Sequence, residues 1–187
     1  FSEIIWGPPV VVFGVDATWP PMEFVDENRQ LTGFDIELAK EIAAAGGFRA
    51  EFRNIEWGRL FSGLSEGTYD AVISCVTITD ERRKTMDFST PYFNNGQVLV
   101  VRSADTGISG LKDLAGKKSG AQTATAGAME ISKETGNNPV LYDETFSLVS
   151  ALDCGDVDGI VIDYPAAAEY VHHDSRTKGR LRIAGSP

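Results

Sequence analysis

The stretch "WGRLFSGLSEGTYDAVISC", Trp57–Cys75, joins a helical pattern directly to a short apolar strand. Leu60, Phe61 and Leu64 lie on one face at helical spacing, and Gly67 is typical of a residue that ends a helix. The segment "YDAVISC" that follows predicts a buried strand. A helix placed between strands in this way favours an α/β fold with a mainly parallel sheet.

The elements before this stretch repeat the same order. The sequence predicts a strand at "VVVFGVDA", a loop at "TWPPMEFVDENRQLTG", a helix at "FDIELAKEIAAAGG" and a strand at "RAEFRNI". The result is a first α/β unit of three strands and two helices.

A second set of elements follows "STPYFNNG". The predicted strands are "QVLVVR", "KKSGA", "PVLY", "DGIVID" and "LRIAG", and the predicted helices are "SGLKDLAG", "TAGAMEISKETG", "TFSLVSALDCG" and "YPAAAEYVHH". We therefore expect a second α/β unit, joined to the first near residues 92–96.

Composition excludes several classes of function. The formal net charge of −10 argues against a nucleic-acid partner, since phosphate binding needs a cationic surface, and argues weakly against anionic lipid. No apolar run approaches the roughly 18–20 residues needed to span a bilayer, and "FSEIIWGPP" does not resemble a secretory leader. Cys75 and Cys154 offer no disulfide framework and no metal spacing, so we expect two small buried thiols, no metal and no cofactor.

Polar and aromatic residues follow the predicted strands where ligands bind in open α/β sheets, at the carboxyl ends. They are Asp16, Trp19, Trp57, Ser74, Thr77, the turn "QTATAG" at 122–127, and Asp163. The set is complementary to a zwitterion that carries a side chain, because it combines acids, aromatic rings and a helix N-terminus with the cation of Arg82.

Four of these features also have an alternative interpretation. Arg82, in "TITDERR", is either a carboxylate-binding group or a solvated residue in a charged run. Asp163 either receives an ammonium group or caps the helix that begins near Pro165. The turn "QTATAG" lacks the phosphate-loop pattern and is either a site for a carboxylate or a plain helix cap. The two tryptophans either grip a ligand or pack beneath a loop.

Four segments carry a family resemblance: "GVDATWPPMEF…LTGFDIELAKEIA", "AVISCVTITDERRKTMDFSTPYF", "LKDLAGKKSGAQTATAG" and "ALDCGDVDGIVIDYPAAAEY". Over residues 3–187 the chain resembles the polar amino-acid-binding periplasmic proteins, the bacterial extracellular solute-binding proteins of family 3. The resemblance implies a periplasmic-binding-protein-like clamshell, with lobe 1 at 1–93, a hinge at 94–96 and lobe 2 at 97–187.

The resemblance also implies roles for individual residues. Arg82 corresponds to the clamp for the ligand's α-carboxylate, Thr77 to a hydroxyl that supports the ligand's main-chain groups, and Asp163 to the acid that holds its ammonium. The remaining ligand-binding residues that it implies are Ser74 and Cys75 in the pocket wall, Thr125 and Ala126 in the carboxylate-binding turn, Trp19 and Trp57 beside the ligand's side chain, and Asp16 and Gln122 at its far end.

The implied function is transport rather than catalysis. The protein is expected to bind a free polar or cationic L-amino acid and deliver it to the permease of an ABC importer, in the periplasm or outside the cell, associated with the membrane through the transporter. Asp16 favours glutamine or arginine, lysine and ornithine, which offer hydrogen-bond donors. The alternatives are an extracellular sensor domain of a signalling protein and a small-carboxylate dehydratase. His172 and His173 lie late in the chain and form no clear acid–base set.

The chain departs from the family pattern at three places. Ala124 and Ala126 stand where a Gly-Thr-Thr turn is usual, and Cys75 replaces a smaller residue. The chain ends at "RIAGSP", so lobe 1 is expected to lack its usual C-terminal return. We expect a monomer, with domain swapping as the alternative that this ending allows.

Overall fold

A computed structural model describes residues 7–94 and 96–185. The contacts between Cα atoms divide this part of the chain into two units, one ending at Cys75 and the other beginning at Val76. The predicted hinge at 94–96 includes position 95, which lies outside the described residues. The lobe boundaries inferred from the family resemblance stay a prediction.

The first unit contains a parallel sheet and a small antiparallel sheet. Its elements in chain order are β1 (Val10–Val15), β2 (Thr18–Trp19), β3 (Glu23–Val25), β4 (Leu31–Thr32), α1 (Phe34–Gly46), β5 (Arg49–Asn54), α2 (Trp57–Ser65) and β6 (Ala71–Val72). Strand β1 lies between β5 and β6 and is parallel to both, as the predicted order of strands and helices requires.

The segment predicted as a loop after β1 is partly folded into strands. There β2, β3 and β4 form an antiparallel sheet. A turn between β3 and β4 is held by Asp26, whose Oδ1 accepts the backbone N–H groups of Asn28 and Gln30. The prediction of a loop was wrong because strands of two or three residues are too short to show an alternating pattern.

The buried aromatic ring of Tyr69 packs against both β1 and α2. A Cβ atom placed on Gly14 would lie 2.7 Å from this ring, and one placed on Gly63 would lie 2.5 Å from its hydroxyl. The Tyr69 hydroxyl donates to the carbonyl of Leu60 in α2. Glycine is therefore required at both positions for α2 and β1 to pack on the same ring.

The second unit contains one five-stranded sheet. Its elements in chain order are a 3₁₀ turn (Arg82–Lys84), β7 (Gln97–Arg102), a second 3₁₀ turn (Leu111–Leu114), β8 (Ser119–Gln122), α3 (Ala126–Thr135), β9 (Val140–Tyr142), α4 (Thr145–Cys154), β10 (Gly159–Asp163), α5 (Tyr164–Ala168), a π turn (Glu169–His173) and β11 (Leu181–Ala184). The order across the sheet is β11-β7-β10-β8-β9.

One strand of this sheet, β7, runs against the other four. Strands β8, β9 and β10 pair in parallel, whereas β7 is antiparallel to both β10 and β11. The sheet is therefore mixed, although the α/β fold class that the sequence predicts is confirmed. The centre of β7, Val98–Val101, and the centre of β10, Ile160–Ile162, are buried, as continuous apolar runs in a covered sheet require.

Cys154 ends α4 and is exposed, and Cys75 is half-buried, so the expectation of two buried thiols was wrong. The buried face of α4 includes Leu148, Ala151 and Leu152, and Cys154 lies outside it. None of the helices within residues 7–94 and 96–185 has the length and apolar character needed to cross a membrane.

Candidate functional site

Asp16 and Ser74 lie side by side at the carboxyl ends of β1 and β6. The backbone N–H of Asp16 donates to Ser74 Oγ at 3.1 Å, and Asp16 Oδ1 accepts from the hydroxyl of Thr18 at 2.9 Å. Both Asp16 and Ser74 are buried. The structure thus brings together two residues that the sequence predicts at one edge of the sheet, 58 positions apart in the chain.

Two buried acids that the sequence analysis did not single out hold this strand end. Ser74 Oγ donates to Glu23 Oε1 at 2.7 Å, and the backbone N–H of Cys75 donates to Asp35 Oδ2 at 2.8 Å. Glu23 belongs to β3 and Asp35 to the first turn of α1, and each is at most 1% exposed. The available sequence signal was an acid with an apolar residue on each side, in "MEF" and "FDI". This signal is weak, because acids are rarely fully buried.

The surroundings of Glu23 raise the pKa of its carboxyl group. Burial is the main cause that raises its pKa, from the ordinary value of 4.5 to about 10. The charge of Asp35, a hydrogen bond shared with Asp35 and the charge of Asp16 act in the same direction, while the hydrogen bond from Ser74 acts against them.

The two predicted aromatic residues of the first unit are half-buried. Trp19 ends β2, and Trp57 begins α2. The ring of Trp57 meets that of Phe61 edge to face, with 5.1 Å between centroids. Packing therefore accounts for part of the Trp57 surface, and the role of both rings against a ligand stays a prediction.

Arg82 is held by two backbone carbonyls of the second unit. Its Nη1 donates to the carbonyl of Thr77 at 2.7 Å, and its Nη2 donates to the carbonyl of Ala124 at 3.0 Å. Arg82 is half-buried, in contrast to the exposed Arg83 and Lys84. Burial lowers the pKa of the guanidinium, and the charge of Asp163 raises it. The half-buried side chain of Arg82 does not fit the interpretation as a solvated residue, and its role as a carboxylate clamp stays a prediction.

Asp163 ends β10 with its carboxyl group buried. The side-chain amide of Gln97 donates to Asp163 Oδ1 at 2.6 Å. Burial raises the pKa of Asp163 to about 6, while the Gln97 hydrogen bond and the charge of Arg82 lower it. Asp163 is the N-cap residue of α5, yet its side chain accepts no capping hydrogen bond from the first turn of that helix, which the structure describes in full. The capping interpretation of this carboxylate was wrong.

The turn "QTATAG" brings the N-terminus of α3 beside Arg82. Thr125 is the N-cap residue: its Oγ1 accepts the backbone N–H of Ala128 at 3.4 Å and donates to the carbonyl of Gln122 at 2.7 Å. Ala124 adopts a left-handed conformation with φ of 56°, and its carbonyl accepts from Arg82. The helix-cap interpretation and an anion site at Thr125 and Ala126 are compatible, because capping uses a single N–H of the first turn.

Gln122 is buried within the second unit. Its Nε2 donates to the carbonyl of Asp143 at 3.0 Å, and its Oε1 accepts from the hydroxyl of Thr145 at 3.3 Å. These bonds give Gln122 a structural role. A contact between Gln122 and the far end of the ligand's side chain stays a prediction.

The family model that describes bacterial extracellular solute-binding proteins, family 3, matches residues 11–176. The chain belongs to this family. A probable histidine-binding protein of Neisseria gonorrhoeae is 36% identical over 163 residues, which are 85% of this chain and 60% of that protein. The chain thus spans less than two thirds of the length of this solute-binding relative.

Solved structures of similar proteins extend the comparison. An ancestral arginine-binding protein bound to glutamine has a TM-score of 0.89 and 36% identity, covering 98% of this chain and 80% of its own. An arginine-, lysine-, histidine-binding protein from Geobacillus stearothermophilus has a TM-score of 0.87 and 34% identity, and the match covers 95% of this chain and 76% of that protein. Both proteins are named as binding proteins, and they confirm the family and the fold class that the sequence predicts.

Proposed function

We propose that this protein binds a free polar or cationic L-amino acid and delivers it to the permease of an ABC importer. The observation that carries the proposal is the pairing, within the second unit, of a half-buried guanidinium at a helix N-terminus with a buried carboxyl. An amino acid is a zwitterion, so it needs one receptor for each of its two charges.

Arg82 and the N-terminus of α3 form the receptor for the carboxylate. The hydrogen bonds that Arg82 donates to the carbonyls of Thr77 and Ala124 fix the plane of the guanidinium. The first-turn N–H groups of α3 begin two residues after Ala124. Guanidinium and helix N-terminus both favour an anion of carboxylate size. The proposed contacts are Arg82, Thr77, Thr125 and Ala126.

Asp163 forms the receptor for the ammonium group. Its buried carboxyl titrates near pH 6, so at neutral pH it is mostly ionised and able to pair with a cation. An ammonium ion at this position would compensate for the desolvation that now raises the pKa of Asp163.

In the first unit, Asp16 supports a preference for side chains that carry donors. Asp16 is buried, and an apolar ligand side chain placed against it would offer its carboxylate no hydrogen bond in place of water. Apolar ligands are therefore disfavoured. The named ligands of relatives, which include histidine, arginine and glutamine, are consistent with this class. Glutamine, arginine, lysine and ornithine are the ligands that we favour, with Trp19, Trp57, Ser74, Cys75 and Gln122 as further contacts.

The cellular context of the proposal follows the family, whose members are bacterial extracellular solute-binding proteins. We place the protein in the periplasm or outside the cell, acting as a monomer. Ligand capture by closure of lobes at 1–93 and 97–187 belongs to the same proposal, since hinge closure around a ligand is common among periplasmic binding proteins.

Calorimetry on protein that has been unfolded and refolded, to remove bound ligand, tests the proposal. The titrants are the twenty amino acids, ornithine and citrulline. We expect one or a few to bind, and Arg82→Ala to weaken that binding by about 100-fold or more, since two charge-assisted hydrogen bonds are lost.

The matched control is Arg83→Ala, which removes the same charge from an exposed neighbour. Equal losses in the two variants would mean that Arg82 acts only through net charge. A folded protein that binds none of the titrants would refute the proposed function.

A further inference from the structure

The acids Glu23 and Asp35 lie outside the set of residues that the family resemblance assigns to the ligand. They come from two different elements, β3 and α1, and both are buried. One carboxyl oxygen of Glu23, one carboxyl oxygen of Asp35 and the Sγ of Cys75 lie within 4.8 Å of one another. Such proximity of two buried carboxyl groups is costly unless a proton or a cation separates them.

Among the described residues, the charged groups that raise the pKa of Glu23 are the acids Asp35 and Asp16. Asp35 faces it from α1, and Asp16 faces it from the end of β1. From the segment after β6, Ser74 contributes a hydroxyl, and Cys75 contributes a thiol that lies 3.8 Å from Asp35 Oδ1. A proton on Glu23 is therefore the means by which the described surroundings accommodate both carboxyl groups, with the negative charge left on Asp35 in the first turn of α1.

Hydrogen bonds connect this pair to three residues predicted to line the ligand site. Glu23 accepts from Ser74, which in turn accepts the backbone N–H of Asp16. Asp35 accepts the backbone N–H of Cys75. Cys75 has a φ of 45°, a left-handed conformation that is unfavourable for a residue with a side chain. The bond to Asp35 compensates for that strain and fixes the turn.

We propose that Glu23 and Asp35 are positioning residues, a carboxyl pair that shares one proton and holds Asp16, Ser74 and Cys75 in place for the amino-acid ligand. The part of this inference that concerns the ligand rests on the proposed function. The shared proton does not, and it is tested without any ligand.

Glu23→Gln is the decisive variant, because glutamine reproduces a protonated glutamate. Its Oε1 keeps the bond from Ser74, its Nε2 donates to Asp35, and it does not titrate. Glu27→Gln is the matched control, since it makes the same change at an exposed position between β3 and β4. Asp35→Asn is the second variant: asparagine keeps the acceptor for Cys75 and removes the charge of Asp35, which raises the pKa of Glu23 less than burial does.

The first readout is the infrared absorption of a protonated carboxyl group at pH 7.5. We expect the band in the unmodified protein and in Glu27→Gln, and we expect Glu23→Gln to lose it. Asp35→Asn should keep the band at a shifted frequency, because burial still raises the pKa of Glu23 while the acceptor of its proton changes. A spectrum of the unmodified protein without this band, or a band that survives Glu23→Gln, would overturn the shared proton.

The second readout is the free energy of unfolding between pH 7 and pH 9. Because the folded pKa of Glu23 lies above its unfolded value, the folded protein holds one more proton than the unfolded chain in this range. The folding equilibrium constant of the unmodified protein therefore falls relative to that of Glu23→Gln, by up to about tenfold per pH unit. Parallel curves for the two proteins would overturn the shared proton as well.

The third readout separates positioning from stability. At pH 7.5, Glu23→Gln should bind the amino acid identified by calorimetry about as well as the unmodified protein. Glu23→Ala, measured under conditions where circular dichroism shows it folded, should bind about tenfold more weakly, the loss expected when one positioning hydrogen bond is removed. Normal affinity in folded Glu23→Ala would overturn the positioning role and leave the proposed function intact.

Discussion

At the scale of single residues, Arg82 is less exposed than its place in the sequence predicts. The sequence shows an arginine in a run of charges, which is typical of a solvated surface. The carbonyl groups that hold it belong to Thr77 and to Ala124, the latter 42 positions away. No local pattern encodes so distant a partner, so the type of residue was predictable and its burial was not.

The titration of Asp163 leads to a prediction at the same scale. If this carboxylate holds the ligand's ammonium, affinity should be nearly constant above pH 7 and should fall below pH 6, by up to about tenfold per pH unit, as Asp163 becomes protonated. Calorimetry at pH 7.5, 6 and 5 measures this dependence. Asp163→Asn should bind weakly at every pH, whereas Asp156→Asn, at an exposed position, should behave like the unmodified protein.

The free energy of unfolding should depend on pH in the opposite direction to ligand affinity. The folded pKa of Asp163 lies above its ordinary value of 3.8, so the ligand-free folded state takes up a proton between about pH 4 and pH 6. Its contribution to the free energy of unfolding is therefore greatest at low pH and decreases as pH rises through this range. Ligand affinity that stays constant down to pH 5 would contradict the assignment of Asp163.

At the scale of elements, long periodic segments were predictable and short ones were not. Helix α1 spans Phe34–Gly46 and ends at a left-handed Gly47, as its sequence pattern predicts. The two- and three-residue strands of the small sheet leave no such pattern, and they carry Glu23 into the interior. The positioning acids were missed because the element that places one of them was itself missed.

The turn before α3 allows a prediction about backbone strain. Ala124 is left-handed, which costs a non-glycine residue roughly 1–2 kcal/mol, while glycine costs about 0.5–1 kcal/mol in lost chain entropy. Ala124→Gly should therefore leave the free energy of unfolding unchanged or raise it by up to about 1 kcal/mol. Ala128→Gly, inside α3, should lower it by about 1 kcal/mol or more.

Urea unfolding of both variants measures these changes. Since the Ala124 carbonyl accepts from Arg82, affinity for the amino acid should be measured in parallel. Destabilisation by Ala124→Gly equal to that of Ala128→Gly would show that the turn is not strained.

At the scale of the whole molecule, ligand binding should be visible as thermal stabilisation. Binding to the folded state alone adds about 2.7 kcal/mol at a ligand concentration of 100 times Kd. For a chain of 187 residues this corresponds to a rise in Tm of roughly 5–10 °C. Differential scanning calorimetry should show this rise with the bound amino acid, and Arg82→Ala should abolish it. An equal rise with an amino acid that does not bind in titrations would mark a non-specific effect.

The reversed strand β7 makes one side chain of this molecule a natural spectroscopic reporter. Antiparallel pairing sets Gln97, the first residue of β7, opposite Asp163, the last residue of β10, and their side chains share a hydrogen bond. The NMR frequencies of the Gln97 side-chain amide should therefore follow the charge and occupancy of the carboxyl group beside it. A protein labelled with nitrogen-15 at glutamine would signal the arrival of an amino acid without any probe attached to the site.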